Sequence, residues 1–355
     1  MTAHFHRSQR GTSLVEVMIT LVIGLIVSAG AIAMVISNRE AYRSTEALSR
    51  VQESTRVAFE LMSRDLRAAG INTCNGGRTR VLNLLEDPAT RWWSDWTGGL
   101  RGFEGTTASL AAVIGTDAGQ RVTGTDLVEV MHGGTSALAI AMHNASASEA
   151  TIGGGTVPKF ALVTQQASTL AAGDLAIVCD FENSTIFQVS GVDPDSHSIQ
   201  HEVIESTPGN CSSGLAFRTP LVCNGGAGTA KVFQAGSQIM RLETAAWYVG
   251  VNGRTGNTNS PRSLYRVSVR NEAGTLTSVA EEIVEGVVDM EITYVVDGAY
   301  LDAASVTALN KWSEVTGAQI MLTIEAPETG TSTAAVGARL TRTLSHVVNL
   351  RNRVS

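Results

Sequence analysis

Residues 17–38 form a run of 22 residues without a single charged side chain. Wound as a helix, the run is about 33 Å long, close to the thickness of a bilayer's hydrocarbon core. A secretory signal has a shorter apolar region with its small-residue cleavage site after it, whereas the candidate cut here, Gly11, comes before the run. The leader ahead of it is basic, with Arg7 and Arg10. Basic residues stay cytoplasmic, so the run predicts a single-pass span with the long C-terminal part on the far side of a bacterial inner membrane, in the periplasm. One acid, Glu16, stands at the start of the apolar run. An ionisable group there is costly and points to a function and a partner charge. Snorkelling to the headgroups is its plainer account. An ordinary anchor explains the length but not a Gly followed at the fifth position by Glu.

The stretch Gly11-Thr12-Ser13-Leu14-Val15-Glu16-Val17-Met18-Ile19 resembles the class III signal of type IV pilins and pseudopilins. The resemblance implies that a prepilin peptidase cuts between Gly11 and Thr12 and methylates the new amino end at Thr12. Glu16 then becomes the fifth mature residue. The first mature residue of that family is usually Phe, and here it is Thr12. A freed α-amine is positively charged near neutral pH. A carboxylate in low dielectric needs such a partner, because an unpaired buried charge is strongly unfavourable. Glu16 is therefore expected to meet the amine of a neighbouring subunit inside a filament.

Charged residues make up 17% of the chain and 35 of its 355 residues are Gly, which predicts turns and short strands rather than a helical bundle. The formal net charge is −7, and loss of Arg7 and Arg10 with the leader makes it more negative. That acidity argues against nonspecific nucleic-acid binding. The four cysteines, Cys74, Cys179, Cys211 and Cys223, would lie in a disulfide-permissive compartment. They allow three pairings. Cys211–Cys223, closing a short loop, and Cys74–Cys179 are favoured, with the other pairings and buried free thiols left open.

The helix is expected to continue through 39–69. Tyr42, Leu48, Val51, Thr55, Ala58, Phe59, Met62, Leu66 and Ala69 recur at three- and four-residue steps as one apolar stripe. Glu46–Arg50, Arg56–Glu60 and Glu60–Arg64 have the spacing of i,i+4 ion pairs, and Gly70 is a stop signal. Residues 40–70, with Cys74 shortly after, are similar to the region that follows the anchor in the PilW minor pilins of type IV pili. Further resemblance lies in 172–180 with 186–189, in 284–290, in Lys311-Trp312-Ser313, in 319–322 and in the terminal 350–353. It implies a structural subunit of the tip or priming complex that starts pilus assembly. The implied partners are other minor pilins, the major pilin, the inner-membrane assembly platform and a large tip adhesin. A type II secretion pseudopilin, and a tip module binding DNA or a surface, are the alternatives.

Residues 72–119 read as irregular, punctuated by Gly76-Gly77, Pro88 and Gly98-Gly99. Trp92, Trp93 and Trp96 are expected to pack that loop against the head, the other reading being an exposed partner contact. Strands are predicted at 125–131, 137–143, 175–179 and 185–189, then at 245–251, 263–270, 287–296, 318–324 and 340–349. Gly153-Gly154-Gly155 lacks the Lys-Ser/Thr of a phosphate loop. His197 and His201 have helical metal-ligand spacing, but HSIQH lacks the Glu of HExxH, and Asp193-Pro194-Asp195 predicts a turn entering a strand. No catalytic motif is present, and no metal, cofactor or enzymatic activity is expected.

The fold expected is therefore α+β and pilin-like: a long N-terminal α-helix, half transmembrane and half amphipathic, packed on a largely antiparallel β-sheet region. The divisions are 1–11 leader, 12–38 transmembrane or filament-core helix, 39–70 amphipathic helix, 71–236 divergent β-rich insertion or subdomain, and 237–355 C-terminal sheet region.

Overall fold

A computed structural model of the chain describes residues 11–71, 74, 80–145, 157–163, 169–203, 206–216, 223, 229–256, 258–332, 337–351 and 353. The leader with Arg7 and Arg10, the Gly76-Gly77 pair and Gly153-Gly154-Gly155 lie outside the described residues.

One helix, α1 (Leu14–Ala68), runs unbroken for 55 residues. Its first half is bare: Leu14, Ile23, Leu25, Ile26 and Met34 are among its exposed large apolar side chains. Burial begins at Ala47 and recurs at Val51, Ala58, Met62 and Leu66. These positions fall on one face of a 3.6-residue period. Tyr42, predicted to open the stripe, is 71% exposed, because the head begins one turn later. Of the predicted pairs, Glu46–Arg50 forms at 2.8 Å, and Arg50 also reaches Glu328 at 2.5 Å. The helix stops at Gly70, whose φ of +72° suits a residue without Cβ. Its N–H donates to Met131 O, and Gly133 N–H donates to Ile71 O, which fastens the exit of α1 to a strand.

The strands follow in order: β1 (Arg80–Asn83), β2 (Leu100–Phe103), β3 (Leu127–Gly133), β4 (Leu138–Asn144), β5 (Lys159–Leu162), β6 (Leu175–Cys179), β7 (Asn183–Gln188), β8 (Gly191–Asp193), β9 (Ser198–Gln200), β10 (Gln238–Val251), β11 (Arg262–Glu272), β12 (Thr275–Glu285), β13 (Val287–Val296), β14 (Ala299–Leu301), β15 (Gly317–Glu325) and β16 (Thr341–Asn349). A short helix, α2 (Ala303–Ala308), follows β14 and is capped by Asp302 Oδ1 accepting from Ser305 N.

Among the described residues, twelve strands form one sheet and β14-β13-β15-β16 form a second of four. Among the described strands, every pair is antiparallel except β1 with β7. The long β10 ties the large sheet together. Gln238–Arg241 pair with β6, Leu242–Tyr248 pair with β3, and Ala245–Val251 pair with β11. Its alternation serves two cores. Trp247 and Val249 face the cluster under α1, while Ala246 and Tyr248 face the opposite cluster. A third cluster, around Phe160, Phe187 and Phe233, fills the far end near β5, β6 and β7.

The segment 72–119 is less irregular than its composition suggests, since it supplies β1 and β2. Gly102 on β2 is required by packing: a Cβ there would sit 2.1 Å from Tyr294 Oη. Trp92 and Trp93 are buried, and Trp92 Nε1 donates to Ser278 Oγ on β12 at 3.1 Å. Cys74 is bonded to Cys179 and Cys211 to Cys223, the first pair with a Cα–Cα distance of 5.9 Å.

One polar contact fixes α1 on the head. Asp65 lies within the apolar stripe and is 4% exposed. Its Oδ2 accepts from Trp247 Nε1 on β10 at 3.0 Å and from Arg266 Nε on β11 at 2.7 Å. Removing one partner of a buried pair leaves the other unpaired in low dielectric. Asp65→Ala is expected to destabilise the head by about 3 kcal/mol, read by denaturant unfolding of the detergent-solubilised protein followed by tryptophan fluorescence.

Candidate functional site

Gly11, Thr12 and Ser13 precede α1 and are exposed. Ser13 is extended, with φ −67° and ψ 142°, and its carbonyl accepts from Glu16 N at 3.0 Å and Val17 N at 3.2 Å. The backbone bond between Gly11 and Thr12 is thus outside the helix and open to solvent. Glu16 falls in the first turn of α1. There the unpaired N–H groups and the helix dipole favour a negative charge. Thr20 Oγ1 donates back to Glu16 O and Val17 O at 2.9 Å, satisfying the hydroxyl within the apolar helix. Among the described residues, the Glu16 carboxylate has no hydrogen-bond or ion-pair partner. One helix thus carries an open amino end, an acid one turn in, and a bare apolar surface extending to Ile36.

Residues 6–36 match the model of the prokaryotic N-terminal methylation motif. The chain carries a pilin-type signal. No curated protein matches the chain. A pilin-type signal implies processing by a prepilin peptidase and attachment to the membrane, and the bare apolar half of α1 fits a membrane-anchored pilin or pseudopilin. Gly11, Thr12 and Glu16 all fall within the matched residues.

At the other end of α1 the head is closed by a half-buried cation. Arg353 donates through Nη1 to Trp312 O at 2.6 Å and to Val315 O at 3.2 Å, and through Nη2 to Gly98 O. Its guanidinium lies beside Gly70, just past the C-terminal end of α1. Burial lowers its pKa to about 10, so it remains charged at neutral pH. Arg121 is fully buried, donating to Thr125 O, Thr107 O and Glu104 O at 2.8–2.9 Å. The sequence pattern assigned no role to either, Arg353 entering only within the resembling stretch 350–353, and none to Asp65. For Asp65 a signal existed, because an acid between Met62 and Leu66 on the apolar stripe demands a buried partner.

The histidines are arranged otherwise than their spacing suggests. His197 is exposed in a turn with φ +47°, and His201 follows β9 fully buried, so the two do not converge. His201 instead meets His143 on β4, Nε2 to Nε2 at 3.0 Å. His143 Nδ1 accepts from Phe233 N at 3.0 Å, so its proton sits on Nε2. His201 Nε2 must then accept, and its Nδ1 donates to Ser213 O at 3.0 Å. Both rings are neutral by this hydrogen-bond pattern, and no nitrogen is left for a metal. Burial, with the facing His201 and Lys231, holds His143 far below the usual range, and burial holds His201 down at about 4.

Two buried acids shift in the direction opposite to these histidines. Burial raises Asp126, which accepts from Ile292 N, to about 6, and raises Glu129, which accepts from Ser109 Oγ, to about 7. Folded, they hold protons more readily than unfolded, so their contribution is present at acid pH and lost as pH rises through about 6 and 7. The histidines refuse protons that the unfolded chain takes up below about 6.5, so their contribution is lost as pH falls below that value. Glu129→Gln should therefore raise stability more at pH 8 than at pH 5. It should also steepen the loss between pH 6.5 and 5, both measured as shifts in denaturation midpoint.

Proposed function

We propose that the protein is a minor pilin of a type IV pilus, a structural subunit of the tip or priming complex that initiates assembly. The observation that carries this reading is one unbroken helix with a pilin-type signal at its bare end and a head clamped to its other end. Before assembly the bare half crosses the inner membrane, with the amino end cytoplasmic and the head periplasmic. After assembly the same surface packs against neighbouring helices in the filament core. In this reading 1–11 is the leader, 12–38 the core helix, 39–70 the amphipathic helix, and 71–236 and 237–355 the two portions of the head. The size of the head, with sixteen strands among the described residues, favours a place at the tip. The partners are other minor pilins, the major pilin, the assembly platform and a large tip adhesin.

Glu16 is proposed to attract the methylated amine of Thr12 from a neighbouring subunit. The pair forms where water is excluded, so its geometry selects the stagger between subunits. Gly11→Val is expected to block cutting, because a branched side chain crowds the bond to be cleaved, and the leader should remain as an unshifted band on a gel. Glu16→Ala should be cleaved and membrane-bound yet incorporated into sheared filaments several-fold less than the parent. Full incorporation of Glu16→Ala overturns the pairing. Loss of pili with intact type II secretion on deletion of the gene separates a minor pilin from a pseudopilin.

A further inference from the structure

The edge of the four-stranded sheet is open, and its chemistry specifies what closes it. Among the described residues β16 pairs with β15 alone, in unbroken register from Gly317↔Asn349 to Glu325↔Thr341. Just beyond its two ends Leu350 N donates to Thr316 O and Ala326 N donates to Leu340 O. In an antiparallel ladder such bonded pairs recur at every second residue. Arg342, Leu344, His346 and Val348 therefore bond inward to β15, while Thr341, Thr343, Ser345, Val347 and Asn349 point their N–H and C=O groups outward. Among the described residues, none of those outward backbone groups has a hydrogen-bond partner.

The other open edges are blunted and this one is not. β1, β2, β8 and β14 are only three or four residues long. β12 is long, but it carries Glu281, Glu282 and Glu285 and pairs across a register shift. Short length, charge and irregularity are the usual protections of an edge strand. β16 is nine residues long, regular and free of proline, with Arg342 its only formal charge. Leu344 and Val347 remain 39% and 46% exposed on its two faces.

We propose that β16 receives an extended segment of a different polypeptide, which adds as a fifth strand to this sheet. Side chains of that segment on one face would lie beside Leu344 and His346, whose ring is 5.3 Å from Phe59 of α1. Apolar residues suit that face. The other face, beside Thr343, Ser345 and Val347, suits small polar or β-branched residues. The partner is thus an uncharged segment of alternating pattern, held chiefly by main-chain hydrogen bonds.

A second copy of this chain does not fit. Its long unblunted strand is β16 itself, and two identical strands pair symmetrically only in antiparallel fashion, about a two-fold axis normal to the sheet. α1 lies along the sheet from Ala47 to Leu66, roughly 28 Å. The axis reverses its direction, so the two apolar halves point opposite ways. Chains anchored side by side in one membrane cannot pair so.

The test uses the detergent-solubilised full chain and a nonapeptide of alternating valine and threonine. A control peptide is N-methylated at every second amide, which removes main-chain donors and keeps the side chains. The unmethylated peptide is expected to bind and to slow amide exchange at Thr343, Ser345 and Val347, and the methylated one to do neither. Ser345→Pro removes an outward donor without touching the bonds to β15, and should weaken binding roughly tenfold. Tyr300→Lys, on β14 at the opposite edge of the same sheet, should leave binding unchanged. Equal binding of the two peptides, or no binding, or exchange at these amides already slowed in a peptide-free dimer, overturns the proposal.

Discussion

An unusually long helix is useful to a membrane-anchored protein only if its two halves are held in fixed relation, and the buried carboxylate of Asp65 supplies that fixity. The apolar stripe of α1 gives the head something to bury, but apolar packing alone tolerates sliding and rotation. A carboxylate that must meet both Trp247 Nε1 and Arg266 Nε does not. It sets the rotation of α1 and, through the rigid helix, the direction in which Glu16 is presented some seventy ångströms away, about 49 residues at 1.5 Å each. The end of the helix is then locked by Gly70, by its backbone bonds to β3, and by Arg353 from the far end of the chain.

The head is organised by a single long strand in a similar way. β10 pairs in its first third with β6 and in its remainder with β3 and β11. Alternate residues of β10 therefore face the core under α1 or the core behind it, and one strand couples clusters that would otherwise be independent. The polar groups buried between them are satisfied mostly by backbone: Arg121 by carbonyls, Asp126 by an amide, the two histidines by one amide, one carbonyl and each other. Such arrangements fix a unique geometry and exclude ligand chemistry, because their donors and acceptors are already used.

Much of this was readable in advance where the signal is local. The extent of α1, the stop at Gly70, and strands such as β6 and β13 follow from periodicity and turn residues over short windows. β12 was not readable. Its sequence TLTSVAEEIVE mixes charge and apolar residues with no clean alternation, because it lies at a solvated edge and needs only one partner, β11. β1 and β2 are too short to show a period. The tryptophan cluster showed in composition, but whether it was covered depended on β12, nearly two hundred residues away.

The amino-terminal site is the opposite case. Gly11, Thr12, Glu16 and the apolar run lie close together in the chain, so the whole signal is written in neighbouring residues. The sequence by itself therefore determined the pilin-type signal, the long helix and the α+β class. Only the tertiary structure decided which residues hold the helix to the head, that His201 meets His143 and not His197, and which strand edge stays open. Those depend on pairings between distant segments, and no local pattern of side chains encodes which distant partner a group will find.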